Sequence, residues 1–235
     1  MGRWADGPSW RLLVDPVGRS GEYNMKMDEA LLDDVARFGG AYLRLYRWDP
    51  PTLSIGRNQP NTFHDVPIIR RPTGGQAVWH EHEVTYAVVA TIESFGSLRQ
   101  AYCEIHTRLA RAIRALGADP VLAPAAHRPI SPSAHPGCCF AAPVGGEILV
   151  NGRKLVGSAQ VRKRDAFLQH GSILLDGSQA IVASAGRETT LTAELGRIVT
   201  FGEVASAITA CWKEPTEQPI RPSAHPPVID SPAPR

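Results

Sequence analysis

Two alternating runs, EILV and RKLVGSAQVR, flank the dipeptide Asn151-Gly152. Such a pair specifies a β-hairpin, because a type I′ turn needs positive φ at both central residues. Other short alternating runs extend this theme. YLRLYRW, from Tyr42 to Trp48, and TLSIG read as strands, and Arg57 to Asp65 is polar loop. PIIRR and QAVWHEHEVTYAVVAT read as further strands on either side of a glycine turn, and AFLQHGSILL as another. Helical periodicity is confined to three segments. NMKMDEALLDDVARF places Met27, Leu31, Val35 and Phe38 on one stripe and stops at Gly39-Gly40. Leu98 to Leu116 carries the stripe Leu98, Tyr102, Ile105, Leu109, Ile113 and Leu116, with Gly117 as stop signal. Thr200 and Glu203 form a capping box ahead of Phe201, Val204, Ile208 and Trp212. The expectation is an α/β (α+β) domain: a mixed, largely antiparallel sheet with flanking helices.

Bulk properties narrow the function classes. A chain of 235 residues with 43% hydrophobic content can bury a sizeable core. Its net charge of +2 exerts no global pull on nucleic acid. No apolar run approaches the ~20 residues of a membrane span. MGRWADGPSW has no signal-peptide core, and Asp6 stands where a myristoylation signal wants Ser or Thr. A cytoplasmic protein with neither nucleic acid nor membrane as partner is expected. From Pro215 onward, seven prolines in 21 residues cannot build a core. Residues 1–214 are therefore expected to fold, and 215–235 to be a loose tail.

Four stretches carry candidate chemistry. RRPTGGQAVWHEHEVTY sets positive charge beside backbone N–H groups that a phosphate or carbonyl can approach closely; a tight hairpin with solvated arginines explains it equally well. On one continuous strand His80 and His82 would share a face, with Glu81 and Glu83 on the other, and no third metal ligand stands at a convincing spacing. In NGRKLVGSAQ, alternation puts Lys154, Val156 and Ser158 on one face and Leu155, Gly157 and Ala159 on the other. His170 in FLQHGSILL is either a base or a strand histidine hydrogen-bonded in place. HPGCCFAAP sets Cys138 beside Cys139 in a proline-rich stretch, Asp119 to Pro143, of a length that is more often functional than idle. A disulfide between neighbours would strain the backbone. Cys103 and Cys211 read as packing residues. Arg162, Lys163 and Arg164 form a hairpin tip that either meets acidic proteins or is simply solvated.

Taken in order, YNMKMDEALL, LYRWDPPTLSIGRNQ, RRPTGGQAVWHEHEVTYAVV, GRKLVGSAQVRKRDAFLQHGSILL and TTLTAELGRIVTFGEVASAI resemble the lipoate–protein ligase and octanoyltransferase family over about residues 10 to 213. The resemblance implies the catalytic fold of the biotin and lipoate ligases. Cys139-Phe140-Ala141-Ala142-Pro143 is similar to the Cys-Phe-x-x-Pro stretch of the transferase branch whose cysteine precedes the lysine.

That branch implies Cys139 and Lys154 as catalytic residues. It implies Arg71, Gly74, Gly75, Gln76, His80, Gly157, Ser158, Ala159, His170 and Gly171 as substrate contacts, and no metal. An octanoyl or lipoyl group would pass from acyl carrier protein, through a Cys139 thioester, to a lysine of an E2 lipoyl domain or a glycine-cleavage H protein. No cofactor is expected; ATP and Mg would enter only if the chain were a lipoate–protein ligase instead. A catalytically silent carrier-binding homologue is the remaining alternative. Gln76 departs from the family pattern, which has a third glycine there. The acyl tunnel is expected among residues such as Val78, Trp79 and Val156.

Overall fold

The computed structural model describes residues 10–123, 146–182 and 186–213. Among these lie ten strands: β1 (Trp10–Arg19), β2 (Ala41–Trp48), β3 (Thr52–Ile55), β4 (Ile68–Arg70), β5 (Val78–His80), β6 (Glu83–Thr91), β7 (Pro120–Leu122), β8 (Ile148–Val150), β9 (Arg153–Lys163) and β10 (Ala166–Leu174). Four α-helices accompany them: α1 (Gly21–Phe38), α2 (Leu98–Ala115), α3 (Leu191–Leu195) and α4 (Phe201–Lys213). Seven strands form the main sheet in the order β1-β2-β6-β10-β9-β8-β7, and three form a small one, β4-β3-β5. Only β1–β2 and β3–β4 run parallel. The mixed, largely antiparallel architecture expected from the hairpin signals is therefore present.

Local chemistry explains the element ends. Ser20 caps α1 and Ser97 caps α2, each accepting a backbone N–H three residues on. The Thr200–Glu203 capping box closes in both directions, with Thr200 N–H donating to Glu203 Oε2 at 2.9 Å and Glu203 N–H to Thr200 Oγ1 at 3.3 Å. Asn151 and Gly152 have φ of 49° and 74°, the left-handed pair a type I′ turn requires.

The main sheet has two different faces. One packs on α2 and α4 through Leu43, Leu45, Val88, Ile105, Leu109, Phe167 and Ile208. The other is apolar near α1, at Tyr42, Val89 and Leu168, and turns polar toward the small sheet. Cross-strand pairing lines up two rows there: Tyr46–Thr85–Ser172–Gly157 and Arg44–Ala87–His170–Ala159.

Several expectations need correction. The α1 stripe is rotated: Phe38 is 80% exposed and Met27 half-buried, while Asn24, Met25, Asp28, Leu31, Leu32 and Val35 are buried. Asn24 and Asp28 belong to the inner face, and taking them as solvent-facing turns the helix the wrong way. β1 was not foreseen, since Pro16 and an unbroken LLV run obscure the alternation. β4 and β5 do not form a hairpin; β3 lies between them. Glu81 and His82 form the break between β5 and β6, so His80 is buried and His82 exposed rather than sharing a face. Cys103 is exposed, whereas Cys211 is buried. Cys138, Cys139 and the 215–235 tail lie outside the described residues.

Candidate active site

Arg71 organises the turn that follows it. It is 6% exposed, so the solvated-arginine reading fails for this residue. Its Nη1 donates to Ser54 O at 2.8 Å and Ser54 Oγ at 2.6 Å; its Nη2 donates to Gly74 O at 3.3 Å and Gln76 O at 2.7 Å. Thr73 O accepts the Arg57 N–H at 2.8 Å. The carbonyls of Thr73 and Gly74 are thus drawn back into the protein. In a trans peptide the next residue's N–H points the opposite way. No hydrogen bond among the described residues takes the N–H of Gly74 or Gly75. Gly75 has φ +92°, and a Cβ on it would stand 3.7 Å from the Ala159 methyl, so the turn faces β9. On its other side Gly56 passes so close that a Cβ there would be 2.0 Å from Gly75 O.

Two buried histidines brace this region. Ser54 Oγ accepts from Arg71 and contacts His80 Nε2 at 2.5 Å; His80 Nδ1 meets Glu83 Oε1 at 2.8 Å. Because Ser54 accepts from Arg71, its own proton goes to Nε2, and the ring donates Nδ1–H to Glu83. Burial pushes His80 below its ordinary pKa, with Glu83 opposing, so the ring is neutral. Trp48 stacks on it at 3.9 Å. Glu83 Oε1 also accepts from Ser172 at 2.9 Å and from Thr85. On the other side, His170 Nε2 meets Thr73 Oγ1 at 2.8 Å and its Nδ1 meets Asp28 Oδ2 at 2.9 Å. Both rings are held by protein partners, in keeping with a strand histidine hydrogen-bonded in place.

Lys154 is 2% exposed, not an exposed hairpin lysine, and pairs with Glu147 at 2.7 Å. A bulge decides where it points. Val156 sits opposite Ile148, yet Lys154 sits opposite Leu149, leaving Leu155 as the extra residue. Consecutive residues of β8 face opposite ways. Lys154 therefore shares a face with Gly157 and Ala159, not with Val156 and Ser158. That is the face on which His170 lies, at a cleft lined by Met25, Tyr46, Trp48, Val78, Gly157 and Ala159 among others. Arg71, His80, Ser158, His170 and Gly171 also line it. Trp79 and Val156 do not; Val156 belongs to the α2-side core. Ser158 turns its hydroxyl to Tyr86 at 2.7 Å and His106 at 2.8 Å. Gly171 leaves room for that contact, since a Cβ there would stand 2.6 Å from Ser158 Oγ.

Residues 20–211 match the lipoyl protein ligase A/B catalytic domain. The chain belongs to that family. Proteins named octanoyltransferase LipM are similar in sequence. The one from Kyrpidia tusciae is 44% identical over 188 residues, covering 72% of this chain and 66% of the relative. The one from Symbiobacterium thermophilum is 34% identical over 235 residues, covering 86% and 84%. In the Kyrpidia tusciae match, as in that from Carboxydothermus hydrogenoformans, the alignment spans just under two thirds of the relative's length. In fold, the chain is similar to lipoate-protein ligase A bound with ATP, at a TM-score of 0.67 and 21% identity over 87% of this chain and 84% of that one.

Within this lipoyl ligase fold, the structure gathers Arg71, His80, Gly157, Ser158, Ala159, His170 and Gly171 around one cleft. Gly75 faces Ala159 beside it, Gly74 precedes Gly75 in the same turn, and Lys154 lies earlier on β9. Gln76 is half-buried and contributes its carbonyl to Arg71. Cys139 lies outside the described residues. The reading of the sequence missed Asp28, Arg44, Ser54 and Glu83, whose side chains set the histidines and the arginine. The signal for Asp28 was its i, i+4 spacing from Asn24, in line with Leu31, Leu32 and Val35.

Proposed function

We propose that this chain transfers an octanoyl group, or a lipoyl group, in protein lipoylation. Acyl carrier protein would be the donor, and a lysine of an E2 lipoyl domain or a glycine-cleavage H protein the acceptor. The observation that carries this reading is the pair of N–H groups at Gly74 and Gly75 that no hydrogen bond among the described residues takes, beside a cleft walled by Met25, Trp48 and Val78. The pair is suited to an acyl carbonyl and the cleft to its chain. The resemblance to octanoyltransferases supports the choice of acyl group.

The chemistry balances without ATP or metal. The Cys139 thiolate attacks the donor thioester, and the carrier's thiolate leaves and takes up a proton. A neutral lysine amine of the acceptor then attacks the Cys139 thioester, losing its proton as the Cys139 thiolate departs. The first exchange is nearly isoenergetic, and the second forms a stable amide. Splitting the reaction lets two large carriers visit in turn. An unperturbed thiol, with a pKa of about 8.5, is mostly protonated at neutral pH. In this reading the buried Lys154 ammonium lowers that pKa, and Glu147 holds the ammonium in place. No helix among the described residues is long and apolar enough to cross a membrane.

The test is the intact mass of the full chain after incubation with octanoyl acyl carrier protein, without ATP. An octanoyl adduct kept in Cys138→Ala and lost in Cys139→Ala supports the mechanism. Transfer that requires ATP and survives in Cys139→Ala overturns it in favour of a ligase.

A further inference from the structure

Asp28 has no solvent exposure, and all its contacts converge on one sheet face. Its Oδ1 accepts from Arg44 Nη1 at 2.7 Å. Its Oδ2 accepts from Tyr46 Oη at 2.9 Å and from His170 Nδ1 at 2.9 Å. Burial and the Asp28 charge hold the Tyr46 hydroxyl well above its usual pKa, so Tyr46 stays a donor. A carboxylate beside an arginine only accepts. One ring proton of His170 therefore sits on Nδ1; with the ring neutral, the Nε2 lone pair is left for Thr73, 2.8 Å away. The Thr73 hydroxyl then points its proton at that lone pair.

Asp, His and a hydroxyl in this order have the connectivity of a nucleophilic triad. Thr73, however, has no solvent exposure and does not line the cleft. Its hydroxyl is a strut. With Thr73 O held by the Arg57 N–H, this strut sets the peptide plane from which the Gly74 N–H projects.

We propose that Asp28 is a positioning residue for acyl transfer. By fixing the His170 tautomer it commits the Thr73 hydroxyl, and so aims the Gly74 N–H. The inference rests on the reading of the Gly74–Gly75 turn as the acyl-carbonyl site. Arg71, held from the opposite side by Ser54, His80 and Glu83, braces the same turn independently, which predicts that losing Asp28 misaims the turn without dissolving it.

Asp28→Asn is nearly isosteric and presents an N–H to the ring. His170 then carries its proton on Nε2, and the Thr73 hydroxyl loses its acceptor. The experiment compares wild type, Asp28→Asn, Thr73→Val and the double variant, all as full chains. It reads single-turnover acylation from octanoyl acyl carrier protein by intact mass, and the His170 ring tautomer by nitrogen-15 NMR. Expected are a shift to the Nε2–H tautomer in Asp28→Asn, acylation slowed by about 10- to 100-fold in each single variant, and a double variant no slower than the worse single one. A tautomer shift with unchanged acylation, or two losses that multiply, overturns the proposal. Should Asp28→Asn not fold, Thr73→Ser against Thr73→Val decides: equal rates overturn it, and a loss confined to Val supports it. If wild type forms no adduct, the acyl-transfer reading fails, while the ring spectra still show whether Asp28 sets the tautomer.

Discussion

The turn from Arg71 to Gln76 and the strand β1 invert the usual relation between hydropathy and burial. The turn is polar, yet Arg71 and Thr73 are buried at 6% and 0% exposure. The strand is apolar, yet Leu12, Leu13, Val14 and Val17 are 38–61% exposed. Partners make the difference. Four acceptors take the Nη1 and Nη2 donors of Arg71, which offsets most of the cost of desolvating the guanidinium. Among the described residues β1 pairs only with β2, at the edge of the main sheet, and α4 touches only part of it. Burial follows satisfied partners in one place and sheet position in the other.

The contrast can be broken most severely at the turn. Arg71→Ala strips the Ser54, Gly74 and Gln76 acceptors of their donor, and should cost about 3 kcal/mol or more in urea unfolding while abolishing acyl-adduct formation. A variant of wild-type stability would show that the turn is not held by Arg71. Gly56→Ala comes next. Its new methyl would stand 2.0 Å from Gly75 O, a backbone atom with no rotamer to escape into. A loss of about 1–3 kcal/mol is expected, with acylation more impaired than stability because the displaced atoms belong to the turn.

His106 extends the comparison to the α2 side of the sheet. It has no exposure, and burial depresses its pKa to about 3. The unfolded chain binds a proton near pH 6.5 that the folded ring refuses, so the neutral ring costs nothing above that pH. As pH falls from about 6.5 toward 3, this one residue should erode stability by about 1.4 kcal/mol per pH unit. His80, also depressed, adds in the same direction. His106→Gln should flatten the slope between pH 6 and 4; an unchanged slope would mean that the ring is not held neutral. The smallest effect belongs to β1. Leu13→Gln and Val17→Gln should each change stability by no more than about 0.5 kcal/mol. A loss near that of Arg71→Ala would erase the contrast.

Much of the fold was legible where the signal is local. The Asn151-Gly152 turn, the Thr200–Glu203 box and the Ile105, Leu109 and Ile113 stripe each rest on neighbours within a few residues. The Arg-Arg-x-x-Gly-Gly and Lys-x-x-Gly-Ser-Ala motifs marked Arg71, Gly157, Ser158 and Ala159 of the cleft. What failed depended on distant chain. The place of β3 between β4 and β5 cannot be read from either strand alone. Asp28 and Asn24 look like solvent-facing helix residues until Arg44 arrives from β2 to bind them.

By itself, the sequence determined the Asn151-Gly152 hairpin, the Thr200–Glu203 cap, the family and part of the cleft lining, because turn chemistry, periodicity and motif spacing act over short stretches of chain. Tertiary structure alone decided which way those residues work. A one-residue bulge put Lys154 on the cleft side of its sheet, and the Asp28–His170–Thr73 chain of hydrogen bonds tied α1 to the glycine turn through β10. The first depends on the register of the β8–β9 ladder and the second on hydrogen bonds between segments far apart in the chain, and side-chain alternation encodes neither.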